Sequence, residues 1–155
     1  MASLDEAAQA FLALERIAVC GVSRKGGAVG NYIYKKLRQS GYQVYAVNPN
    51  ADSVEGDTCY PDLAALPEAV EGVVIATHPK RSAKIIRDCA ALGVQQVWIH
   101  RSLGTGSVDD DAVALGRELG QTIIPGGCPM MYCSPVDLPH RCLRWFLEKT
   151  GKLPV

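Results

Sequence analysis

Short apolar runs alternate with amphipathic stretches along almost the whole chain. Five such runs, each bounded by turn residues, predict strands at residues 16–20, 42–47, 73–77, 94–99 and 122–124. The runs lack the strict alternation of apolar and polar residues that marks a sheet with one wet face. This pattern is typical of parallel strands that are covered on both faces.

Helical spacing appears between the predicted strands. Three apolar stripes, centred on Ile33, Ile86 and Leu115, predict helices that pack against the sheet. Glycines follow these helical runs where a left-handed residue commonly ends a helix, at Gly41, Gly93 and Gly120. Before the third of these helices, Ser107 and the acidic residues 109–111 predict a capped start that suits the helix dipole.

A helix within residues 1–14 and another over residues 135–150 complete the pattern. The last helix is expected to start with Ser134 as its N-cap, because Pro135 and Asp137 then occupy favoured first-turn positions. With right-handed crossovers, this order predicts a single Rossmann-like α/β domain over residues 1–155. It would contain a doubly wound, mainly parallel five-stranded sheet in three α/β/α layers, with strand order 3-2-1-4-5.

Composition narrows the class of partner. The chain has 16 basic and 16 acidic residues, which argues against a protein that coats nucleic acid or an anionic membrane. It has no run of about 20 apolar residues and no basic start followed by an apolar segment. The six cysteines are scattered, several of them in apolar segments, which indicates reduced thiols rather than a disulfide framework. We therefore expect a cytoplasmic protein.

The loop after the first strand carries the clearest chemical signal. Residues 21–30, the glycine-rich loop, read Gly-Val-Ser-Arg-Lys-Gly-Gly-Ala-Val-Gly and lead into a helix. Glycines let the backbone turn sharply, and free amides at a positive helix end favour phosphate oxygens. The spacing matches neither the G-x-G-x-x-G dinucleotide fingerprint nor a Walker loop. A phosphate-binding loop is predicted, although a glycine-rich connection without a ligand would have the same pattern.

The end of the second strand discriminates between nucleotide ligands. Folds that bind NAD usually place an acidic residue there to hold the ribose hydroxyls. This chain instead has Val47-Asn48-Pro49. A neutral Asn48, with Arg24 and Lys25 in the glycine-rich loop, would tolerate a phosphate on the adenosine ribose. The pattern therefore favours CoA or NADP over NAD.

An ordered series of segments over about residues 15–130 resembles the small stand-alone CoA-binding proteins. That family is similar to the CoA-binding domain of the succinyl-CoA synthetase α subunit. The segments that carry the resemblance are Gly21-Val22-Ser23-Arg24-Lys25, Val47-Asn48-Pro49, residues 56–60, Val97-Trp98-Ile99 and Gly126-Gly127-Cys128-Pro129. The resemblance implies a Rossmann-like domain that binds coenzyme A or an acyl-CoA.

The same resemblance implies a place for each part of the cofactor. The pyrophosphate would lie on residues 23–25, and the ribose or adenine near Asn48 and Pro49. The segment Thr77-His78-Pro79 would meet the nucleotide, and Cys128 would lie toward the pantetheine end. The candidate cofactor-binding residues are Gly21, Val22, Ser23, Arg24, Lys25, Gly30, Asn48, Pro49, Thr77, His78, Pro79, Lys80, Arg81 and Cys128.

Two of these candidates are included for their charge. Lys80 and Arg81 are expected at a helix start, where they oppose the dipole and suit an anion better than the helix. His78 is expected to cap that helix. His100 follows the fourth strand and is expected to be a hydrogen-bonded turn histidine. A cleft that gathers Arg24, Lys25, Lys80 and Arg81 around phosphates is the expected site.

Other functions stay open at this point. No triad order, carboxylate pair or base beside a nucleophile emerges, so no catalytic residue is predicted. The synthetase subunit continues into a domain with a phosphorylated histidine, which has no counterpart in these 155 residues. One alternative is an NADP-dependent oxidoreductase subunit. Another is a redox-responsive protein in which Cys128 forms a mixed disulfide with CoA, which requires a lowered thiol pKa.

The segment from Cys128 to the last helix raises two further points. The spacings of its cysteines and His140 do not match a paired zinc motif, so no metal site is predicted. Trp145 and Phe146 would form an apolar stripe on the last helix together with Leu138 and Cys142. That stripe leaves a homodimer or another protein partner open, beside packing on the chain's own sheet.

Overall fold

A seven-stranded, mainly parallel sheet forms the centre of the protein. The structure is a computed structural model and describes residues 2–154. The strands are β1 (Arg16–Cys20), β2 (Gln43–Val47), β3 (Ser53–Val54), β4 (Asp57–Tyr60), β5 (Gly72–Ile75), β6 (Gln96–Ile99) and β7 (Thr122–Pro125). Their order in the sheet is β3-β4-β2-β1-β5-β6-β7. All pairings are parallel except the hairpin β3–β4.

Five α-helices connect and flank these strands. They are α1 (Leu4–Leu12), α2 (Val29–Gln39), α3 (Ser82–Ala91), α4 (Asp110–Glu118) and α5 (Leu138–Lys149). Within residues 2–154, no helix combines the length and the apolar character that crossing a membrane requires.

The sheet separates two apolar layers. Strand residues such as Val19 and Trp98 face α1, α2 and α5, whereas Ala18 and Ile99 face α3 and α4. Trp98 is fully buried, and its indole Nε1 donates to the Gly126 carbonyl at 2.9 Å. Because both faces are covered, the strands can be apolar throughout. The predicted α/β Rossmann-like fold is confirmed.

The number and order of strands differ from the prediction. The five predicted strands are present as β1, β2, β5, β6 and β7, but they lie in the order 2-1-3-4-5 rather than 3-2-1-4-5. The place beside β2 that was expected for residues 73–77 is taken by β4. The hairpin that contains β4 is short and largely polar, so the apolar pattern did not reveal it. β5 pairs with β1 instead, which puts the switch point of the sheet between β1 and β5.

Most helix ends agree with the predicted caps. Positive φ angles follow α2, α3 and α4 at Gly41, Gly93 and Gly120. The N-cap of α4 is Asp109, whose Oδ1 accepts from the Ala112 amide at 3.0 Å. For α5 the predicted start at Ser134 is wrong. Its N-cap is Asp137, which accepts from the His140 amide at 2.9 Å.

The exposed face of α5 decides between the two alternatives that the sequence left open for its apolar stripe. Trp145 is 61% exposed, and Leu138, Cys142 and Phe146 are exposed with it. The buried contact of this helix is made by Leu147, which joins the layer that contains Trp98. The predicted apolar stripe therefore faces away from the sheet.

Candidate functional site

The glycine-rich loop begins at the switch point of the sheet. There β1 and β5 end side by side, and sheets of this kind bind ligands beyond the carboxyl ends of the strands at this point. A Cβ on Gly21, which has a φ of 107°, would overlap the carbonyl oxygen of Ala76, the residue directly after β5. A Cβ on Gly30 would overlap the carbonyl oxygen of Gly21. Glycine at both positions is what lets the strand ends, the loop and α2 approach so closely.

Asn31 holds this loop from inside, and it was not among the predicted site residues. It is fully buried in the first turn of α2. Its Oδ1 accepts from the Ser23 amide at 2.9 Å, and its Nδ2 donates to the Ser23 carbonyl at 2.8 Å. The only signal in the sequence is an asparagine, a weak helix former, directly after the last loop glycine.

The loop also bonds to itself, which limits what its backbone can offer a ligand. Ser23 Oγ accepts from the Lys25 amide at 3.2 Å, and the Ser23 carbonyl accepts from the Gly26 amide at 3.2 Å. The Ser23 amide donates to Asn31 and the Gly21 amide to the Val47 carbonyl, so four of the loop's backbone donors are already used. The side chain of Val22 is buried in the core. Fewer free amides than expected therefore remain in the loop, and its cationic side chains are the main groups that could meet an anion.

Asn48 fixes the loop from the side of β2. Its Nδ2 donates to the Val22 carbonyl at 2.8 Å, and its Oδ1 accepts from the Asn50 amide at 2.8 Å. Pro49, between the two asparagines, is exposed. The polar atoms of Asn48 are thus bound to backbone. At this position, the end of β2 has a neutral side chain and no carboxylate.

An open cleft of about 430 Å³ lies over the loop. It is lined by Ser23, Arg24, Lys25, Asn48 and Asn50. Arg24 Nη1 reaches the Asn50 carbonyl at 3.5 Å, so this guanidinium lies toward the end of β2. Among residues 2–154, neither Arg24 nor Lys25 forms an ion pair. Both cations are available to an anionic ligand.

The basic pair after β5 lies outside this lining. His78 caps the 3-10 turn Pro79–Arg81 as predicted, and its Nδ1 accepts from the Lys80 amide at 3.3 Å. Lys80 and Arg81 are exposed. The structure therefore brings Arg24 and Lys25 together in one cleft and does not add the second cationic pair to its lining. The cleft lies over the ends of β1 and β2, whereas Lys80 and Arg81 follow the end of β5, which lies on the opposite side of β1 from β2.

Two buried polar atoms lie at the ends of β5 and β6. Ser107 Oγ donates to the Thr77 carbonyl at 2.5 Å, while Thr77 Oγ1 has no hydrogen-bond partner among the described residues. His100 is 5% exposed, and its Nε2 likewise lacks a partner in this part of the chain. Burial lowers the pKa of His100 to about 4, so its ring is neutral at pH 7. The expected hydrogen bonds of this histidine are made by its backbone alone.

Cys128 is buried away from the cleft. It is 2% exposed, and burial raises the pKa of its thiol to about 12. A mixed disulfide with CoA would require a lowered thiol pKa, and burial shifts the pKa of Cys128 in the opposite direction. All six cysteines are free, and Cys142 is the exposed one. Within residues 2–154, no cluster of three or more His, Cys, Asp or Glu side chains could hold a metal ion.

We expect native thiol labelling to separate Cys142 from Cys128. A maleimide should modify Cys142 within minutes, because its side chain is exposed, and should reach Cys128 only when the protein unfolds. Peptide mapping by mass spectrometry at pH 7 measures both rates. The control is Cys142→Ser, which should lose the fast reaction. Fast labelling of Cys128 in that variant would show that the thiol is more accessible than its burial implies.

Comparisons with known proteins show the family to which the chain is related. A family model described as a CoA binding domain matches residues 15–134. The ADP-forming acetate–CoA ligase I of Archaeoglobus fulgidus is 35% identical over 103 residues, which are 66% of this chain and 15% of the ligase. The chain thus covers only a small part of that relative's length.

Solved structures show the same fold. A hypothetical protein from Pyrococcus horikoshii OT3 superposes with a TM-score of 0.77 at 28% identity, covering 85% of this chain and 91% of that one. The dinucleotide-forming acetyl-coenzyme A synthetase 1 of Ca. Korarchaeum cryptofilum, in its apo form, gives a TM-score of 0.59 at 26% identity. That match covers 71% of this chain and 25% of the synthetase. With the family model matched over residues 15–134, the chain belongs to the family of CoA-binding domains.

Proposed function

We propose that this protein binds coenzyme A or an acyl-CoA in the cleft over the glycine-rich loop. The observation that carries the proposal is the cleft over the glycine-rich loop, between the ends of β1 and β2, in which Arg24 and Lys25 have no acidic partner among residues 2–154. Coenzyme A brings a pyrophosphate and a ribose 3′-phosphate to such a cleft. No reaction is part of the proposal.

The two cations divide the phosphates between them. Arg24 lies toward Asn50 and the end of β2, where folds of this class bind the adenosine ribose, so it would meet the 3′-phosphate. Lys25 follows it along the loop toward α2 and would meet the pyrophosphate. From there the pantetheine arm would cross the ends of β5 and β6, past Thr77 and toward His100.

The flanking helices support a single binding unit over residues 1–155. Helix α1 precedes the family match and α5 follows it, yet Phe11 of α1 and Leu147 of α5 are buried in the same layer as Trp98. Five buried free thiols fit a reducing compartment, so the cytoplasm is the proposed location. A homodimer or another protein partner on α5 remains a proposal with no bearing on the cleft.

Calorimetric titration tests the proposed ligand. CoA and acetyl-CoA should bind, and NAD should bind more weakly than either. Absence of heat with CoA at millimolar concentration would refute the proposal. NADP affinity equal to that of CoA would favour an oxidoreductase subunit, because the neutral end of β2 also tolerates a 2′-phosphate.

The division of the cations is tested by comparing CoA with dephospho-CoA. Arg24→Ala should weaken CoA about tenfold and leave dephospho-CoA within about twofold, because a charge-assisted hydrogen bond contributes about 1.5–3 kcal/mol. Lys25→Ala should weaken both ligands about tenfold. Lys80→Ala, outside the cleft lining, is the matched control and should change neither dissociation constant. Equal losses for the two ligands in Arg24→Ala would move that guanidinium to the pyrophosphate.

A further inference from the structure

The turn of the β3–β4 hairpin contains an unusual residue. Glu55 has a φ of 49°, and it is the one non-glycine residue with a positive φ among residues 2–154. This left-handed conformation costs a residue with a Cβ about 1 kcal/mol or more, whereas glycine adopts it freely and asparagine tolerates it. A strained backbone that carries a glutamate suggests that its carboxylate has a use.

The carboxylate of Glu55 points toward the glycine-rich loop. Its Oε1 accepts from Asn31 Nδ2 at 2.8 Å, and a Cβ on Gly26 would lie 3.9 Å from the same oxygen. Its Oε2 lies 3.8 Å from Lys35 Nζ. The Glu55 backbone also contributes, because its carbonyl accepts from Arg38 Nη1 at 2.9 Å. The hairpin turn is thus bound to α2 at three points.

Asn31 links Glu55 to Ser23 through its side-chain hydrogen bonds. With its amide nitrogen shared between Glu55 and the Ser23 carbonyl, and its oxygen bound to the Ser23 amide, the side chain is held in one orientation. Asn31 is fully buried, so it has no water to replace a lost partner. Leaving a buried amide unpaired costs about 1–3 kcal/mol. The hydrogen bonds from Asn31 to Glu55 and to Ser23 therefore tend to form together.

We infer that Asn31 and Glu55 are positioning residues that hold the glycine-rich loop in its ligand-binding conformation. This inference rests on the proposed function and adds the β3–β4 hairpin to the site. By fixing both backbone groups of Ser23, Asn31 sets the direction in which Arg24 and Lys25 leave the loop. A loop that is already ordered avoids the entropy that binding would otherwise cost. Neither positioning residue has to touch the ligand.

The test compares two changes at Glu55. Glu55→Gly removes the carboxylate and also relieves the left-handed strain, so the lost hydrogen bond and the relieved strain oppose each other and its melting temperature should stay within a few degrees of the wild type. It should nevertheless weaken CoA binding about five- to tenfold. Glu55→Gln keeps an oxygen that can accept from Asn31 and should bind CoA within about twofold of the wild type. Lys35→Gln, which removes the other partner of the same carboxylate, is the matched control and should bind CoA normally.

A second readout needs no ligand. Hydrogen exchange followed by NMR should show the Ser23 amide exchanging about tenfold faster in Glu55→Gly, while the amides of Val19 and Leu37 keep their rates. If Glu55→Gly fails to fold, Glu55→Asn replaces it, because asparagine tolerates the backbone but is too short to reach Asn31. Its expected losses are the same.

The outcomes separate this inference from the proposed function. A wild type that does not bind CoA would refute the proposed function, and the exchange of the Ser23 amide would still test the positioning. A wild type that binds, with Glu55→Gly equal to it in affinity and in Ser23 exchange, would overturn the positioning role. Equal losses in Glu55→Gln and Glu55→Gly would overturn the path through Asn31, because glutamine keeps the accepting oxygen.

Discussion

Replacing Gly21 with alanine is expected to cost about 3 kcal/mol or more of folding stability and to abolish CoA binding. Two effects combine at this position. Its φ of 107° is unfavourable for any residue with a Cβ, and the new methyl group would overlap the carbonyl of Ala76, directly after β5. The backbone of β5 cannot move away without breaking its pairing with β1. Urea denaturation followed by circular dichroism measures the loss.

Two other glycines of the same loop separate these effects. Gly27 has a φ of 74° and open space around it, so Gly27→Ala should show the conformational cost alone, about 1 kcal/mol. Gly30→Ala meets the Gly21 carbonyl without a positive φ, and it should destabilise the protein although alanine is otherwise the better helix former. The expected order of loss is Gly21, Gly30, Gly27. If Gly21→Ala were no worse than Gly27→Ala, the loop would not be pressed against β5.

The sequence predicts those parts of the fold in which local pattern and burial coincide. The five apolar runs became strands because each is covered on both faces, and the glycines after α2, α3 and α4 became left-handed caps. The hairpin β3–β4 was missed because it lies at the edge of the sheet with polar residues. Its pairing depends on β2, which the local sequence does not show. The error in strand order follows from that omission.

The candidate site likewise contains residues that the sequence predicts and residues that it does not. Ser23, Arg24 and Lys25 are close in sequence, and the end of β2 could be placed from its pairing with β1, so their shared cleft could be anticipated. Asn31 and Glu55 could not, because their bond joins residues 24 positions apart through a hairpin that was not predicted. The burial of Cys128 likewise depends on how the segment after β7 folds back onto the core, which spacing alone does not determine.

Mild acid is expected to destabilise the protein through His100. Burial holds the pKa of this side chain at about 4 in the folded protein, below the usual value of 6.5 that it regains on unfolding. Between these values the unfolded chain binds a proton that the folded protein excludes. Stability is therefore complete above pH 6.5 and falls as the pH is lowered toward 4. Once the pH is below both pKa values, this difference lowers the free energy of unfolding by about 3 kcal/mol.

Substitution of His100 isolates this contribution. Glutamine is polar, similar in size and does not titrate, so urea denaturation of His100→Gln should lose most of the pH dependence between pH 6.5 and 4.5. Asp57 and Asp137 also contribute stability that acid removes. Hydrogen bonds from Tyr34 and from His140 lower the pKa of these two carboxyls below 3.8, so both stay charged at mildly acidic pH. Their contributions disappear only at still lower pH, outside this window. Equal slopes for the wild type and His100→Gln would show that the ring can take up a proton in place, with Nε2 reached by water or by a partner.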